Sequence, residues 1–172
     1  MTGQKCRAPP LAWQGRHDPG MSRRALITMS SEEVRAFIAS ERVVTCATVG
    51  PGGRPHLMPL WYVPDDDAIL AWTYRRSQKA RNLQRLPQAT LQFETGETYD
   101  QLRGVMSECD VELIEEVQRV AEIGLAVLAR YAGGESEGMR EGVAAQAPKR
   151  IGLRFTPTRT VSWDHRKLGG GY

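Results

Sequence analysis

The spacing of apolar residues along the chain changes twice, from helical to strand-like and back, and these changes delimit the elements. Val34, Phe37 and Ile38 follow a capping box formed by Ser30 and Glu33, so an amphipathic helix is expected over residues 31–40. Short apolar runs then replace the helical period. Residues 43–49 lead into the turn Gly50-Pro51-Gly52-Gly53, residues 56–63 into Pro64-Asp65-Asp66-Asp67, and residues 68–74 form a third strand. Pro59 lies inside the second run. Because proline donates nothing to a ladder, that strand belongs at a sheet edge or carries a bulge. Ser77 can cap a short helix that reaches Leu86 and is closed by Pro87.

Two further strands are expected over residues 89–95 and 101–113. Val117, Val120, Ala121, Leu125, Val127, Leu128 and Tyr131 then mark one broad apolar face of a helix over 114–131. Composition makes residues 133–148 a flexible surface loop, and residues 150–155 and 160–163 read as closing strands before a glycine tail at 169–172. Residues 1–28 show no periodicity and carry Pro9, Pro10, Gly15, Pro19 and Gly20. They are expected to be a disordered N-terminal arm, with Met21 and Met29 as alternative starts. One folded domain is left over residues 29–172. Its six to seven strands with flanking helices give a mainly β (α+β) class and favour a small antiparallel barrel over a parallel sheet.

A chain of 172 residues with 41% hydrophobic content suits a single compact domain. No apolar run approaches the ~20 residues needed to span a bilayer, and the first twenty residues lack the apolar segment of a secretory signal. A soluble, cytoplasmic protein without a membrane partner is expected. Cys6, Cys46 and Cys109 are odd in number and widely spaced, which suggests neither a disulfide framework nor a zinc site. The net charge of +3 is too small for polyanion binding by the molecule as a whole. Most of its cations are arginines, which suit bidentate contact with phosphate or carboxylate, although a GC-rich genome would give the same bias.

What matters is where the positive charge sits. The stretch Thr73-Tyr74-Arg75-Arg76-Ser77-Gln78-Lys79-Ala80-Arg81-Asn82-Leu83 contains four cations and no acid, and Arg85 extends it. A strand hands over to a helix here, and a helix start offers unpaired N–H groups and a positive dipole end. The hydroxyls of Thr73 and Ser77, with Lys79 one turn in, would complete a phosphate cradle. A solvated basic helix face has the same composition, and the residues alone leave both readings open.

Two other segments bear on chemistry. In His56-Leu57-Met58-Pro59-Leu60-Trp61-Tyr62 the proline leaves backbone groups unpaired for a flat heterocycle, with Met58 and Trp61 as apolar surface. An ordinary barrel strand with core aromatics accounts for those residues as well. The ending Ser162-Trp163-Asp164-His165-Arg166-Lys167-Leu168-Gly169-Gly170-Gly171-Tyr172 either closes over a pocket or frays. No Ser/His/Asp arrangement, carboxylate pair or nucleophile elbow supports a hydrolase. His56 lacks a partner at metal spacing, so no metal is expected. Against nucleic acid, the basic run contains one aromatic, Tyr74, and the chain is acidic over 108–122.

Taken in order, these segments resemble the pyridoxamine-phosphate-oxidase-like superfamily of split β-barrels. More narrowly, the chain resembles the flavin/deazaflavin oxidoreductase group B, which contains enzymes using coenzyme F420. The resemblance runs from about residue 29 to residue 172. It is carried by the opening helix, Val44-Thr45-Cys46-Ala47-Thr48-Val49 with the Gly-Gly-Arg-Pro-His turn, Pro59-Leu60-Trp61, residues 73–83, and Trp163-Asp164-His165-Arg166-Lys167-Leu168.

The resemblance implies a cofactor phosphate held by Thr73, Ser77 and Lys79, with Gln78 standing where FMN enzymes often carry Arg. It implies a ring lying along His56, Met58, Pro59, Leu60 and Trp61, with Tyr74, Arg75, Arg76, Arg81 and Asn82 completing the cofactor set. It also implies a homodimer with both sites at the interface. One departure matters: counting back from Thr73 without gaps, Leu57 and Tyr62 stand where pyridoxamine phosphate oxidases carry an Arg and a Lys that contact FMN. This disfavours FMN, and the surplus of Arg75, Arg76, Arg81 and Arg85 suits the phosphodiester and glutamate tail of F420. The expected activity is an F420-dependent oxidoreductase moving a hydride between the deazaflavin and an unsaturated small-molecule acceptor. The alternatives are an FMN-binding oxidoreductase of the same fold and a non-catalytic carrier of F420, flavin or haem. His56, Tyr74 and His165 are candidate proton donors, and no catalytic residue is assigned.

Overall fold

In the computed structural model, which describes residues 22–169, the strands are β1 (Val44–Val49), β2 (Pro55–Leu60), β3 (Val63–Asp65), β4 (Ala68–Tyr74), β5 (Gln88–Thr95), β6 (Arg103–Ile114) and β7 (Arg150–Asp164). They pair antiparallel in one sheet ordered β2-β1-β5-β6-β7-β4-β3. The helices are α1 (Arg23–Ile27), α2 (Ser31–Ser40), α3 (Gln78–Arg85), α4 (Val117–Ala132) and α5 (Glu137–Gln146).

β2 and β3 are the two outer strands of that order, yet only Trp61 and Tyr62 separate them in sequence. An extended chain covers at most roughly 3.6 Å per residue, so the sheet must curl until its edges nearly meet. The result is a barrel split along one seam. α3 lies across that seam: it leaves β4 near one edge, and its Asn82 Nδ2 donates to Thr48 Oγ1 of β1, near the other edge, at 3.0 Å.

The barrel interior is filled by Phe37 of α2 and by Tyr62, Leu91, Phe93, Val105, Ile151, Leu153 and Phe155, all almost fully buried. Each such side chain contributes roughly 1.5–3 kcal/mol on burial. α2 is held by the expected capping box: Ser30 Oγ accepts from Glu33 N at 3.2 Å, and Glu33 Oε2 accepts from Ser30 N at 2.6 Å. α4 packs outside the barrel, where Ile123 and Val127 meet Leu70 and Trp72. Gly124 is required there, because a Cβ would come within 2.5 Å of the Trp72 ring.

Four expectations are corrected. The strand expected over 56–63 is broken into β2 and β3, because Tyr62 turns into the core and hydrogen-bonds away from any ladder. Its N–H donates to Tyr131 Oη at 3.1 Å, and its hydroxyl lies 2.5 Å from Ile38 O and 2.8 Å from Glu41 O. The loop expected over 133–148 contains α5, capped by Ser136, whose Oγ accepts from Met139 N at 3.3 Å, and anchored by buried Val143. The two closing strands are one, β7. The Pro157-Thr158 break is absorbed by a register shift in which Arg159 faces Glu108 and Pro157 faces Cys109. In the arm expected over 1–28, residues 1–21 lie outside the described residues, but residues 23–27 are helical. Ser22 caps α1, Met29 N donates to Ser162 Oγ at 3.0 Å, and Lys167 Nζ donates to Thr28 O at 2.9 Å. Among the described residues no helix is long and apolar enough to cross a membrane.

Candidate cofactor site

The seam of the barrel is where β4 ends and α3 begins. Ser77 N donates to Tyr74 O at 2.9 Å, tightening the turn, and Ser77 Oγ caps α3 by accepting from Ala80 N at 3.2 Å. Thr73, facing inward at the end of β4, has its Oγ1 3.4 Å from Ser77 Oγ. Lys79 Nζ donates to the same Thr73 Oγ1 at 3.4 Å. The structure therefore brings together the three residues of the expected cradle.

Lys79 is only 6% exposed, and among the described residues no carboxylate pairs with it. Burial lowers its pKa, opposed in part by the Cys46 thiol nearby. A buried ammonium without an anion is unfavourable by itself. Beside two hydroxyls and a helix N-terminus, it has the chemistry of half an ion pair. The residues present thus fit a phosphate.

The other members of the basic stretch divide. Asn82 is buried and engaged in structure: Gln78 Nε2 donates to its Oδ1 at 2.8 Å, and it bonds Thr48 across the seam. Arg75 pairs with Glu115 at 2.7 Å on the surface, and Arg85 donates to the Val49 carbonyl. Neither is directed into the cradle. Arg76 and Arg81 are exposed and have no ion-pair partner among the described residues.

Register places the expected ring-side residues next to this cradle. His56, Met58 and Leu60 of β2 pair with Thr48, Cys46 and Val44 of β1, so they share the face that carries Cys46 and Thr48. β2 is an edge strand, one of the two placements Pro59 allowed. Leu57 and Met58 are 57% and 45% exposed, and His56 Nδ1 is buried without a hydrogen-bond partner among the described residues. Trp61 projects beyond β2 and stacks on Tyr131 of α4, with centroids 4.4 Å apart and planes 9° from parallel. Tyr131 is itself fixed, its hydroxyl donating to Arg42 O at 2.5 Å.

Of the candidate proton donors, His56 is at the seam and Tyr74 is exposed beneath the guanidinium of Arg150. His165 is elsewhere: β7 carries Arg150, opposite Tyr74, at its start, and His165 only after its far end, against Tyr99. The ending 162–168 neither frays nor closes over the cradle of its own chain. Buried Asp164 finishes β7, and its carboxylate accepts from Arg166 Nη2 at 2.7 Å.

Two residues at the site were not expected from the sequence. The Arg150 guanidinium lies 4.2 Å from the ring centroids of both Trp72 and Tyr74, and Gln146 ends α5 beside it on one cavity with Pro59, Leu60 and Trp61. Only the cross-strand register and the missed helix α5 bring them there, so no local motif could have shown them.

The family described as pyridoxamine 5′-phosphate oxidase matches residues 30–164, and the chain belongs to it. Among solved structures, the conserved hypothetical protein Rv2991 from Mycobacterium tuberculosis is 42% identical with a TM-score of 0.81, over 88% of this chain and 95% of that one. An F420 reductase is 20% identical with a TM-score of 0.62, over 76% of this chain and 98% of that one. HutZ, the haem storage protein from Vibrio cholerae, is 17% identical with a TM-score of 0.61, over 77% and 94%. The last two similarities establish the fold alone. Comparison with curated proteins gives no match.

Proposed function

We propose that the chain is an F420-dependent oxidoreductase that moves a hydride between the deazaflavin and an unsaturated small-molecule acceptor. The observation that carries this reading is the buried Lys79 ammonium, with Thr73 and Ser77 hydroxyls around it and no carboxylate partner among the described residues. A phosphate would give it a counter-charge and accept hydrogen bonds from both hydroxyls and from the start of α3. A bound deazaflavin supplies the hydride chemistry. The chain holds the anionic end at Thr73, Ser77 and Lys79, presents Met58 and Trp61 as apolar surface, and keeps Trp61 oriented through Tyr131.

Two features favour F420 over FMN. Leu57 is an exposed hydrocarbon and Tyr62 is buried with its hydroxyl committed to the carbonyls of Ile38 and Glu41, so β2 and the residues following it offer no cation to a flavin ring. Arg76 and Arg81 are exposed on the cradle's flank with no ion-pair partner among the described residues, where an anionic tail could use them. The edge strand β2 with exposed Leu57 and Met58, flanked by exposed Val49 of β1 and Trp61, suits pairing with a second copy, so the working unit is a homodimer with its sites at the interface. Buried, reduced Cys46 and Cys109 are in keeping with a cytoplasmic protein.

The test is to titrate the purified protein with F420 and with FMN, following absorbance and fluorescence, and then to assay reduction of a panel of enones. F420 binding with turnover supports the reading. FMN binding without F420 binding overturns it, and F420 binding without turnover makes the protein a carrier.

A further inference from the structure

Trp61 and Tyr62 join the two edges of the sheet without belonging to either strand, since β2 ends at Leu60 and β3 begins at Val63. What holds them comes from two consecutive residues near the end of α4. Tyr62 N donates to Tyr131 Oη at 3.1 Å, and Tyr62 O accepts from Arg130 Nη1 at 2.8 Å. Both main-chain groups of Tyr62 are therefore bound by α4 side chains. The Trp61 ring stacks on the Tyr131 ring, with centroids 4.4 Å apart and planes 9° from parallel.

Arg130 ties this link to α2. Its Nη2 donates to Ala39 O at 2.7 Å and to Glu41 O at 2.8 Å, and its Nη1 also reaches Tyr131 Oη at 3.2 Å. The guanidinium lies 4.5 Å from the centroid of the Tyr62 ring. Among the described residues no carboxylate pairs with it. A rigid guanidinium fork can bridge several carbonyls at once, whereas an ammonium is a point contact. The network leaves the Trp61 indole outside: it is 51% exposed and, with Pro59 and Leu60, walls a cavity of about 470 Å³. An exposed aromatic ring held in one orientation has already lost the freedom that binding would otherwise cost.

We infer that Arg130 is a positioning residue for the cofactor ring: together with Tyr131 it fixes the Trp61-Tyr62 link, and so holds the Trp61 indole in place to stack against a flat ring. That this ring is the deazaflavin's rests on the proposed function, whereas the hold on Trp61 does not. A residue serving only the fold would affect stability alone when changed. Arg130 reaches further, because Trp61 is separate from the Lys79 cradle. Misplacing the indole weakens the ring end of the ligand and leaves the grip on the phosphate end.

The test compares the full-chain protein with Arg130→Lys, which keeps the charge but cannot bridge the carbonyls. Near-UV circular dichroism, recorded without ligand, identifies the Trp61 band as the one lost in Trp61→Leu; that band is expected to weaken in Arg130→Lys. Titration follows with F420 and with the deazaflavin alcohol that lacks the phosphate and tail. Both are expected to weaken by the same factor, about fivefold, the order of one aromatic stack. Adding Trp61→Leu to Arg130→Lys is expected to cost no more than Trp61→Leu alone, because a residue acting through another is not additive with it. If Arg130→Lys does not fold, Tyr131→Phe, which keeps the stack but loses the hydroxyl that meets Arg130 and Tyr62 N, carries the same measurements. An unchanged Trp61 band, unchanged affinity for both ligands, weakening confined to F420, or full additivity with Trp61→Leu each overturns the inference. A weakened band in a protein that binds neither ligand overturns the proposed function and leaves the hold on Trp61 standing.

Discussion

Lys79 Nζ lies 3.4 Å from Thr73 Oγ1, a neutral partner for a buried cation. Stability and binding therefore pull in opposite directions at this residue. Without ligand the ammonium is desolvated and uncompensated; with a phosphate it becomes half of a buried ion pair. Lys79→Met is expected to raise the stability of the ligand-free protein by about 1 kcal/mol or more, seen as a higher melting temperature. The same variant should lose roughly a hundredfold in F420 affinity, the order expected for a charge-assisted contact. A lysine that served only the fold would lose stability on this change, so a lower melting temperature with unchanged F420 affinity would count against the cradle.

The buried thiols set the alkaline limit of the fold. Burial pushes the Cys46 thiol up to about 11 and the Cys109 thiol up to about 12, from an ordinary value of 9.0. Between those values the unfolded chain has released protons that the folded protein keeps, so stability falls as pH rises above about 9. Lys79 acts the other way. Its folded pKa is lowered from 10.5, so the unfolded chain binds the extra proton and stability gains from rising pH until about 10.5. Burial also pushes the Tyr62 hydroxyl up to about 12 from 10.0, so two thiols and a phenol against one amine give a net loss. Melting temperatures recorded from neutral pH to about 11 should drop in the alkaline range, and Cys46→Ala with Cys109→Ala should flatten that drop. An unchanged slope in the double variant would contradict the assignment.

The exposed arginines predict how salt acts on cofactor affinity. Arg76 and Arg81 have no ion-pair partner among the described residues, whereas Arg75 is held by Glu115 and Arg85 by the Val49 carbonyl. Contacts between exposed charges are screened by salt, and those in the buried cradle much less. Raising ionic strength should therefore weaken F420 more than an analogue truncated after the phosphate. Changing Arg76 and Arg81 together to Gln should remove most of the difference. Equal salt sensitivity of the two ligands in the unchanged protein would mean that the tail makes no ionic contact.

Sequence pattern located the elements whose cause is local. The capping box at Ser30 and Glu33, the Ser77 cap of α3 and the edge-or-bulge constraint from Pro59 all act within one turn or one strand, and the structure meets each of them. The grouping of Thr73, Ser77 and Lys79 was legible for the same reason: they sit close along the chain, so one strand-to-helix turn gathers them. What depended on distant packing was hidden. α5 carries Gly138 and Gly142 and buries only Val143, too little to impose a helical period. Arg150 becomes a site residue because the β4–β7 register sets it opposite Tyr74, 76 positions earlier in the chain. His165 was drawn toward the site by its chemistry, but the length of β7 carries it away.

Gly124 offers the last check, because helix propensity and packing disagree there. In an isolated helix, alanine would be favoured over glycine by about 1 kcal/mol. In α4 the added Cβ would come within 2.5 Å of the Trp72 ring, whose face also carries the Arg150 guanidinium, 4.2 Å from its centroid. The ring cannot retreat without moving the cation that borders the cavity. Overpacking of this kind costs about 1–3 kcal/mol, so Gly124→Ala should be destabilising by up to about 2 kcal/mol after the helical gain. Lys79, Thr73 and Ser77 lie on the other face of β4, so any F420 affinity should be unchanged in the same variant. Denaturant titration alongside an F420 titration would show the pattern; a stabilised variant would mean that Trp72 is not held as tightly as its neighbours indicate.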